Sequence, residues 1–169
     1  EIALRALKIG PGDQVITTPM TAVATVLAIL RSGATPVLAD IDPTTGLLDP
    51  ESVERCVTEQ TRALILVHLY GQLRNMGTWV SLCDSLGIAL IEDCAQSHGA
   101  KERGLSCGSF GAAGAFSFYP TKNLGAIGDA GALVTNNDQI AEQARMLRNY
   151  GQTNRYEHEV VGMNSRLDE

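Results

Sequence analysis

Short apolar runs alternate with longer amphipathic segments along the chain. The runs QVITTP (14–19), RALILVHLY (62–70) and IALIEDCA (88–95) have the length and the β-branched content of buried strands. Between them, TAVATVLAILRSG (21–33) and NMGTWVSLCDSLG (75–87) have the apolar spacing of helices, and each ends in glycine. This alternation predicts βαβ units and an α/β fold with a mostly parallel sheet flanked by helices.

The remaining segments continue the pattern. Further strands are predicted at 35–41, 114–119 and 131–135, and further helices at 50–60 and 137–151. Thr21 is a candidate cap for the 21–33 helix, and Gly151 is expected to end the last helix. The chain opens within a helix-like pattern and closes on NSRLDE, which resembles the start of a helix. We therefore expect a piece of a longer chain, cut at both ends.

Composition restricts the class of protein. The 169 residues are 44% hydrophobic and 19% charged, which is typical of one globular domain. A formal net charge of −6 without any Lys and Arg cluster argues against nucleic acid as a partner. The apolar runs are too short to cross a membrane and no signal peptide opens the chain, so a cytoplasmic location is expected. The four cysteines lack a CxxC spacing, and we interpret them as reduced thiols and not as metal ligands.

Two charged residues follow predicted strands, where ligands bind in parallel sheets. Asp93 comes at the end of IALIED, and Lys122 follows GAFSFY at 114–119. Glycines at 125, 128 and 131 lie beside this lysine, and their spacing matches neither a GxGxxG motif nor a P-loop. Such glycines let a loop pass close to a bulky planar ligand or to a neighbouring chain.

A lysine in a cleft opposite a carboxylate suits an enzyme that forms a Schiff base. Burial favours the neutral amine, which attacks an aldehyde such as pyridoxal phosphate, and this cofactor needs an anion beside its ring nitrogen. Lys122 and Asp93 are candidates for these two roles. The alternative is that Asp93 caps a turn and that Lys122 is a solvated loop residue. The residue pattern alone leaves both interpretations open.

Several longer motifs in a fixed order add a family resemblance. IEDCAQSHGA (91–100), FSFYPTKNLGAIGDAGALVT (116–135) and NSRLDE (164–169), together with segments 11–42 and 66–72, closely resemble the DegT/DnrJ/EryC1/StrS family of sugar aminotransferases. The resemblance implies the type I fold of aspartate aminotransferase. Residues 1–169 would be the pyridoxal phosphate-binding large domain, truncated at both ends, without the small C-terminal domain. The resemblance also implies that the intact protein is a homodimer.

The resemblance assigns roles to five residues. Lys122 matches the lysine that forms the Schiff base with pyridoxal 5'-phosphate, and Asp93 matches the carboxylate that pairs with the pyridine nitrogen. Gln96 matches a residue that lies against the cofactor near its phenolic oxygen. Ser117 matches a hydroxyl that binds the cofactor phosphate, and Asn164 resembles an asparagine that reaches this phosphate from the other subunit.

The same resemblance predicts the reaction. TAVAT (21–25), VHLYGQ (67–72) and SFYPTKNLGA (117–126) are most similar to the branch that aminates the 3-keto group of dTDP-linked 6-deoxyhexoses. Glutamate would donate the amino group to this nucleotide-linked keto sugar in deoxyamino sugar biosynthesis, with Lys122 as both anchor and acid or base. Two alternatives are a 4-keto sugar aminotransferase and a non-catalytic interaction or regulatory module of the same fold.

Some positions depart from the family or have a structural explanation. Many members have an aromatic residue that stacks on the cofactor where this chain has Ala22, and Met20 is a candidate substitute. His68 and Tyr70 end a predicted strand, where a hydrogen bond in the core or side-chain packing explains them as well as a substrate contact does. His98 is expected to orient Gln96 or to bind a backbone carbonyl.

Overall fold

The computed structural model describes residues 1–167, which fold around a six-stranded sheet. The helices are α1 (Ile2–Ala6), α2 (Val23–Ser32), α3 (Pro50–Cys56), α4 (Met76–Leu86) and α5 (Asp138–Leu147). The strands of this sheet are β1 (Gln14–Thr17), β2 (Thr35–Leu38), β3 (Thr61–Val67), β4 (Ala89–Asp93), β7 (Ala113–Ser117) and β8 (Gly131–Val134). Two small hairpins pair β5 (Lys101–Glu102) with β6 (Leu105–Ser106) and β9 (Gln152–Asn154) with β10 (Glu157–His158).

The sheet is parallel except at one edge. Strands β2, β1, β3, β4 and β7 run in the same direction, and β8 pairs with β7 antiparallel. The predicted α/β class with a mostly parallel sheet is confirmed. Because all the parallel strands end at the same edge, the loops that follow β3, β4 and β7 meet there.

Two hydrophobic cores cover the two faces of the sheet. Alternate residues of β3 point to opposite faces: Leu64 and Leu66 belong to one core, and Ala63 and Ile65 belong to the other. The first core packs against α3 and α4, with Trp79 among its buried side chains. The second packs against α1 and α2. This two-sided burial explains why the central strands are nearly continuous apolar runs in the sequence.

Local signals define most helix ends. Gly33 and Gly87 adopt the left-handed conformation that ends α2 and α4, as predicted, with φ values of 89° and 64°. Pro50 occupies the first turn of α3, and the carboxylate of Asp49 caps this helix by accepting hydrogen bonds from two backbone N–H groups.

Three predicted helix ends are wrong. Helix α3 ends at Cys56, before the predicted end at 60, because the backbone of Val57 is extended. The residue at the N-cap of α2 is Ala22 and not Thr21, whose hydroxyl lies 2.9 Å from that of Thr25. Helix α5 ends at Leu147, before Gly151, because the segment at 163–165 returns to this point. The carbonyl oxygens of Leu147 and Arg148 accept hydrogen bonds from backbone N–H groups of that segment at 2.8 and 2.9 Å.

The end of the described chain also differs from the prediction. Asn164 forms an isolated antiparallel bridge with Asn149, and no helix begins within 164–167. The last two residues of the predicted helix start, Asp168 and Glu169, lie outside the described residues. None of the helices within 1–167 is both long and apolar enough to span a bilayer.

Gly111 offers a test of how closely the loop before β7 packs on β4. A Cβ atom at this position would lie 2.4 Å from the carbonyl oxygen of Leu90. We expect Gly111→Ala to lower the free energy of unfolding of the intact protein by roughly 2 kcal/mol, because backbone atoms on both sides would have to move. The measurement is urea unfolding followed by circular dichroism.

Gly77→Ala is the matched control for this substitution. A Cβ atom at Gly77, in α4, has no atom within 4 Å, and alanine favours helix more than glycine does. Gly77→Ala is therefore expected to leave stability unchanged or to raise it slightly. Equal unfolding midpoints for the two variants would contradict the packing described for Gly111.

Candidate active site

The loops at the carboxyl edge of the sheet surround a small open pocket. Its lining residues are Thr21, Ala22, Val67, His68, Leu69, Asp93, Ala95, Gln96 and Lys122. Three of the predicted site residues, Asp93, Gln96 and Lys122, therefore lie together although they come from different loops. The register explains this arrangement, because Asp93 at the end of β4 pairs with Val67 of β3 and with Ala115 of β7.

Hydrogen bonds hold both oxygens of the Asp93 carboxylate. Oδ2 accepts from the hydroxyl of Thr25 at 2.7 Å, and Oδ1 accepts from the backbone N–H of Ala95 at 3.1 Å. The first bond joins α2 to β4 across 68 residues of sequence. Thr25 was missed in the sequence because its position within a helical pattern gives no signal of a distant polar partner.

The side chain of Gln96 is oriented by the backbone after β3. Its Oε1 accepts a hydrogen bond of 2.8 Å from the backbone N–H of Tyr70. Because Oε1 accepts this bond, the amide NH2 group of Gln96 remains available to donate to a ligand. Tyr70 itself is 72% exposed and has a φ of 55°, so of the two interpretations left open for this residue, side-chain packing is wrong.

Lys122 lies in the loop between β7 and β8. The backbone N–H of Lys122 donates to the carbonyl of Tyr119 at 2.8 Å, and the side chain is half-buried. Among residues 1–167, no ion pair includes Lys122. A Cβ atom at Gly125 would lie 2.4 Å from the carbonyl oxygen of Pro120, so this glycine allows the loop to approach itself. The amine of Lys122 is thus available to a ligand.

Two predicted residues do not line the pocket. Ser117 ends β7, and its hydroxyl accepts a hydrogen bond of 3.3 Å from the backbone N–H of Tyr119. Asn164 is exposed, and its Oδ1 accepts a hydrogen bond of 3.1 Å from Arg166. Their expected contacts with a cofactor phosphate stay predictions.

A buried polar pair lies directly behind the pocket. The side chain of Glu92 is completely buried, and its Oε2 lies 2.9 Å from Nε2 of His68, which is 2% exposed. Backbone N–H groups of Gly108, Phe110 and Gly111 also donate to this carboxylate at 2.8 to 2.9 Å. His68 is therefore a hydrogen-bonded core histidine whose ring also borders the pocket.

Hydrogen bonding determines the ionisation of Glu92. Burial alone raises the pKa of this carboxyl group, but the bonds from His68 and from three backbone N–H groups lower it, and the net pKa lies below the ordinary value of 4.5. The carboxylate is consequently ionised at neutral pH. Sequence reasoning missed Glu92, although a charged residue inside the run IALIED was an available signal.

The same region contains Cys94, whose Sγ lies within 4.8 Å of ligand atoms of His68 and Glu92. Burial and the neighbouring Glu92 charge raise the pKa of the Cys94 thiol far above its ordinary value, so the sulfur stays protonated. The Glu92 oxygens are already used by four donors. This chemistry disfavours a metal ion at the cluster.

The structure also tests the predictions for Met20 and His98. Ala22 lines the pocket, but Met20 does not, and the methyl carbon of Met20 is 3.9 Å from where a Cβ of Gly46 would be. The imidazole of His98 lies between the rings of Phe116 and Phe118, with centroid distances of 5.5 and 5.6 Å. Within the described part of the chain its nitrogens have no hydrogen-bond partner, so both expected contacts, with Gln96 and with a backbone carbonyl, are wrong.

The whole sequence matches a known protein family. A sequence model described as the DegT/DnrJ/EryC1/StrS aminotransferase family matches residues 1–169. The chain belongs to this family. The predicted resemblance is thereby confirmed over the whole sequence.

Individual members of the family are similar to this chain over nearly its whole length. The dTDP-3-amino-3,4,6-trideoxy-alpha-D-glucose transaminase of Streptomyces venezuelae is 50% identical over 169 residues, which are 100% of this chain and 45% of the relative. A "Pleiotropic regulatory protein" of Geobacillus stearothermophilus is 51% identical over 168 residues, 99% of this chain and 45% of the relative. The chain thus spans slightly less than half the length of these relatives.

Solved structures of family members have the same fold. The structure of S. venezuelae DesV in complex with a ketimine intermediate has a TM-score of 0.94 at 50% identity and covers 98% of this chain and 45% of DesV. NtdA from Bacillus subtilis with bound cofactor PMP has a TM-score of 0.90 at 33% identity and covers 98% of this chain and 38% of NtdA. The predicted type I aminotransferase fold of a partial chain is confirmed.

Substitution of Glu92 tests the buried pair. In Glu92→Gln, at least one amide N–H would face a backbone N–H donor, and we expect the free energy of unfolding of the intact protein to fall by about 3 kcal/mol at pH 7. The pKa of Glu92 is lower in the folded state, so its contribution is full above about pH 4.5 and is lost as the pH falls through the folded pKa. The difference between the parent and Glu92→Gln should therefore shrink in acid, as measured by urea unfolding at several pH values.

The control for this experiment is Glu59→Gln. Glu59 is exposed, so its substitution should change stability by less than about 0.5 kcal/mol across the same pH range. A stability difference for Glu92→Gln that stays constant between pH 7 and pH 3 would contradict the ionised, hydrogen-bonded state of Glu92.

Proposed function

We propose that the intact protein is a pyridoxal phosphate-dependent sugar aminotransferase and that Lys122 and Asp93 are its catalytic residues. The observation that carries this proposal is that Lys122, Asp93 and Gln96 line the same pocket. These groups come from the ends of strands or the loops after them, where parallel sheets bind ligands.

The chemistry of the three side chains fits pyridoxal phosphate. Lys122 has no carboxylate partner among the described residues, so its amine is available for a covalent link to an aldehyde. Asp93 is a fixed hydrogen-bond acceptor suited to a protonated ring nitrogen. Gln96 offers an amide N–H donor suited to a phenolic oxygen, because Tyr70 already occupies its Oε1.

Each residue would contribute one task to the reaction. When bound, pyridoxal phosphate supplies an electron sink for the electrons of a substrate C–H bond. Nζ of Lys122 would accept the proton from the amino donor's α-carbon and donate it to the former aldehyde carbon of the cofactor, which makes this amine the acid and base. Asp93 would hold the proton of the ring nitrogen, and Gln96 would orient the ring in its plane.

Other parts of the proposal concern the phosphate and the second subunit. Ser117 would bind the cofactor phosphate through its hydroxyl, and exposed Asn164 would reach the phosphate of a second copy. A homodimer follows from this role of Asn164. We also propose a cytoplasmic location, as expected for enzymes that use nucleotide-linked sugars.

The names of the relatives support a nucleotide-linked 3-keto sugar as the substrate. The S. venezuelae and Micromonospora megalomicea relatives are transaminases of a dTDP-linked 3-amino-3,4,6-trideoxy sugar, and the Aneurinibacillus thermoaerophilus relative is one of a dTDP-linked 3-amino-3,6-dideoxy sugar. A relative from Acidithiobacillus ferrooxidans has a UDP-linked 3-dehydro sugar in its name. We therefore propose a nucleotide-linked 3-keto sugar, with a dTDP-linked 6-deoxyhexose as the preferred form and glutamate as the amino donor, in deoxyamino sugar biosynthesis.

A regulatory module is the second candidate function. The 51% identical Geobacillus stearothermophilus relative is named a regulatory protein, and a Saccharopolyspora erythraea relative at 48% is named a sensory transduction protein. Against this candidate stands the pocket itself, since a purely structural module has no need for an unpaired lysine beside a fixed carboxylate. Retention of cofactor separates the two functions.

Covalent labelling tests the role of Lys122. Borohydride reduction of the intact protein after incubation with pyridoxal phosphate is expected to attach a pyridoxyl group to Lys122, as read by peptide mass mapping. Within this sequence only Lys8 and Lys101 are other lysines, so the labelled peptide is easy to assign. Lys122→Ala should lose the label, and Lys101→Ala should keep it. Label on Lys101 with none on Lys122 would overturn the assignment.

Paired substrates test the position of the keto group. With glutamate as donor, we expect kcat/KM for a dTDP-3-keto-6-deoxyhexose to exceed that for the 4-keto isomer by at least about 100-fold, because a site that hydrogen-bonds one hydroxyl pattern rejects the other. The measurement is formation of 2-oxoglutarate. Preference for the 4-keto isomer would establish the 4-keto alternative. If the protein lacks bound cofactor and converts neither sugar, the result favours the regulatory module.

A further inference from the structure

Thr25 makes a polar contact that its own helix does not require. It lies in the first turn of α2 and is only 5% exposed. Its backbone N–H already donates to the carbonyl of Ala22 at 3.1 Å. The hydroxyl leaves the helix and donates to Oδ2 of Asp93 at 2.7 Å. A threonine in a helix often bonds a carbonyl of the preceding turn, so this contact with a distant strand needs an explanation.

The direction of the hydrogen bonds follows from their chemistry. The hydroxyl of Thr25 has a single proton, and it donates this proton to Oδ2 of Asp93. Oγ1 of Thr21 lies 2.9 Å from Oγ1 of Thr25, and it must be the donor of this second bond. The result is a one-way chain from Thr21 through Thr25 to Asp93, in which each bond strengthens the next. Thr21 lines the pocket together with Asp93.

The two bonds to Asp93 have different effects on its side chain. The N–H of Ala95 lies two residues along the same chain, so this bond moves with β4 and its turn. The hydroxyl of Thr25 comes from α2, which packs on the sheet through Ile29 and the core it shares with Val15. The bond from α2 therefore fixes the carboxylate relative to Thr21 and Ala22, which line the pocket directly before this helix.

We propose that Thr25 is a positioning residue that holds the carboxylate of Asp93 in the orientation that serves the ring nitrogen of pyridoxal phosphate. This inference rests on the proposed function, since it assigns Asp93 to that nitrogen. Thr25 does not itself touch the cofactor. Thr21 supports it by donating to its hydroxyl oxygen.

Cofactor affinity is the first measurement. In Thr25→Val the shape of the side chain is kept and the hydroxyl is lost, so the Kd of the intact protein for pyridoxal phosphate should rise about tenfold, as expected for loss of a hydrogen bond to a charged group. Thr25→Ser keeps the hydroxyl and should retain a Kd within about twofold of the parent. The titration is followed by the visible absorbance of bound cofactor.

A cofactor analogue separates positioning from general damage. In 1-deazapyridoxal phosphate a C–H group replaces the ring nitrogen, so Asp93 has no proton there to hold. The affinity loss of Thr25→Val should be absent with this analogue. In an Asp93→Asn background, Thr25→Val should add no further loss, because the two residues act through one contact. Thermal unfolding without cofactor checks that the Thr25 variants are folded.

Each outcome has a defined meaning. A tenfold loss that is restored by serine and absent with the analogue supports the role of Thr25. Equal affinity of the parent and Thr25→Val for pyridoxal phosphate overturns it, and so does a loss of the same size with the analogue. If Thr25→Val does not fold, Thr25→Ala is compared with Thr25→Ser by the same criteria. A parent protein that binds no pyridoxal phosphate overturns the proposed function first, and the role of Thr25 falls with it.

Discussion

The arrangement of the site depends on the hydrogen bonds to the buried carboxylate of Glu92. This carboxylate accepts hydrogen bonds from His68 after β3 and from three backbone N–H groups of the loop before β7. A charge taken out of water is tolerated only when it is fully hydrogen-bonded, so these groups must converge on one point. The next residue along β4 is Asp93. The bonds that satisfy Glu92 therefore also fix the backbone from which Asp93 enters the pocket.

Much of the fold was predictable because its local signals agree with its long-range packing. The apolar runs that became β3 and β4 are continuous since both of their faces are buried, and Gly33 and Gly87 ended their helices as expected. The meeting of Asp93 with Lys122 also followed from the sequence, because parallel strands share one carboxyl edge. Identification of the family came from motifs and not from any single residue.

What could not be predicted depends on contacts between distant parts of the chain. Helix α5 ends early because backbone N–H groups at 163–165 donate to the carbonyls of Leu147 and Arg148, and these donors come from a distant part of the chain. The partners of Thr25 and of Glu92 lie on other elements, so their roles appear only once the sheet is assembled. Met20 was one candidate to replace the stacking residue missing at Ala22, but it lies near Gly46 and does not line the pocket.

The pocket is assembled from segments that are far apart in the chain, from Thr21 before α2 to Lys122 after β7. None of these segments alone presents the complete set of groups, so a ligand that needs them all binds only chains whose sheet has formed. Such a ligand shifts the balance between folded and unfolded chains by mass action. In a cell, the supply of this ligand would therefore influence how many newly made copies escape degradation.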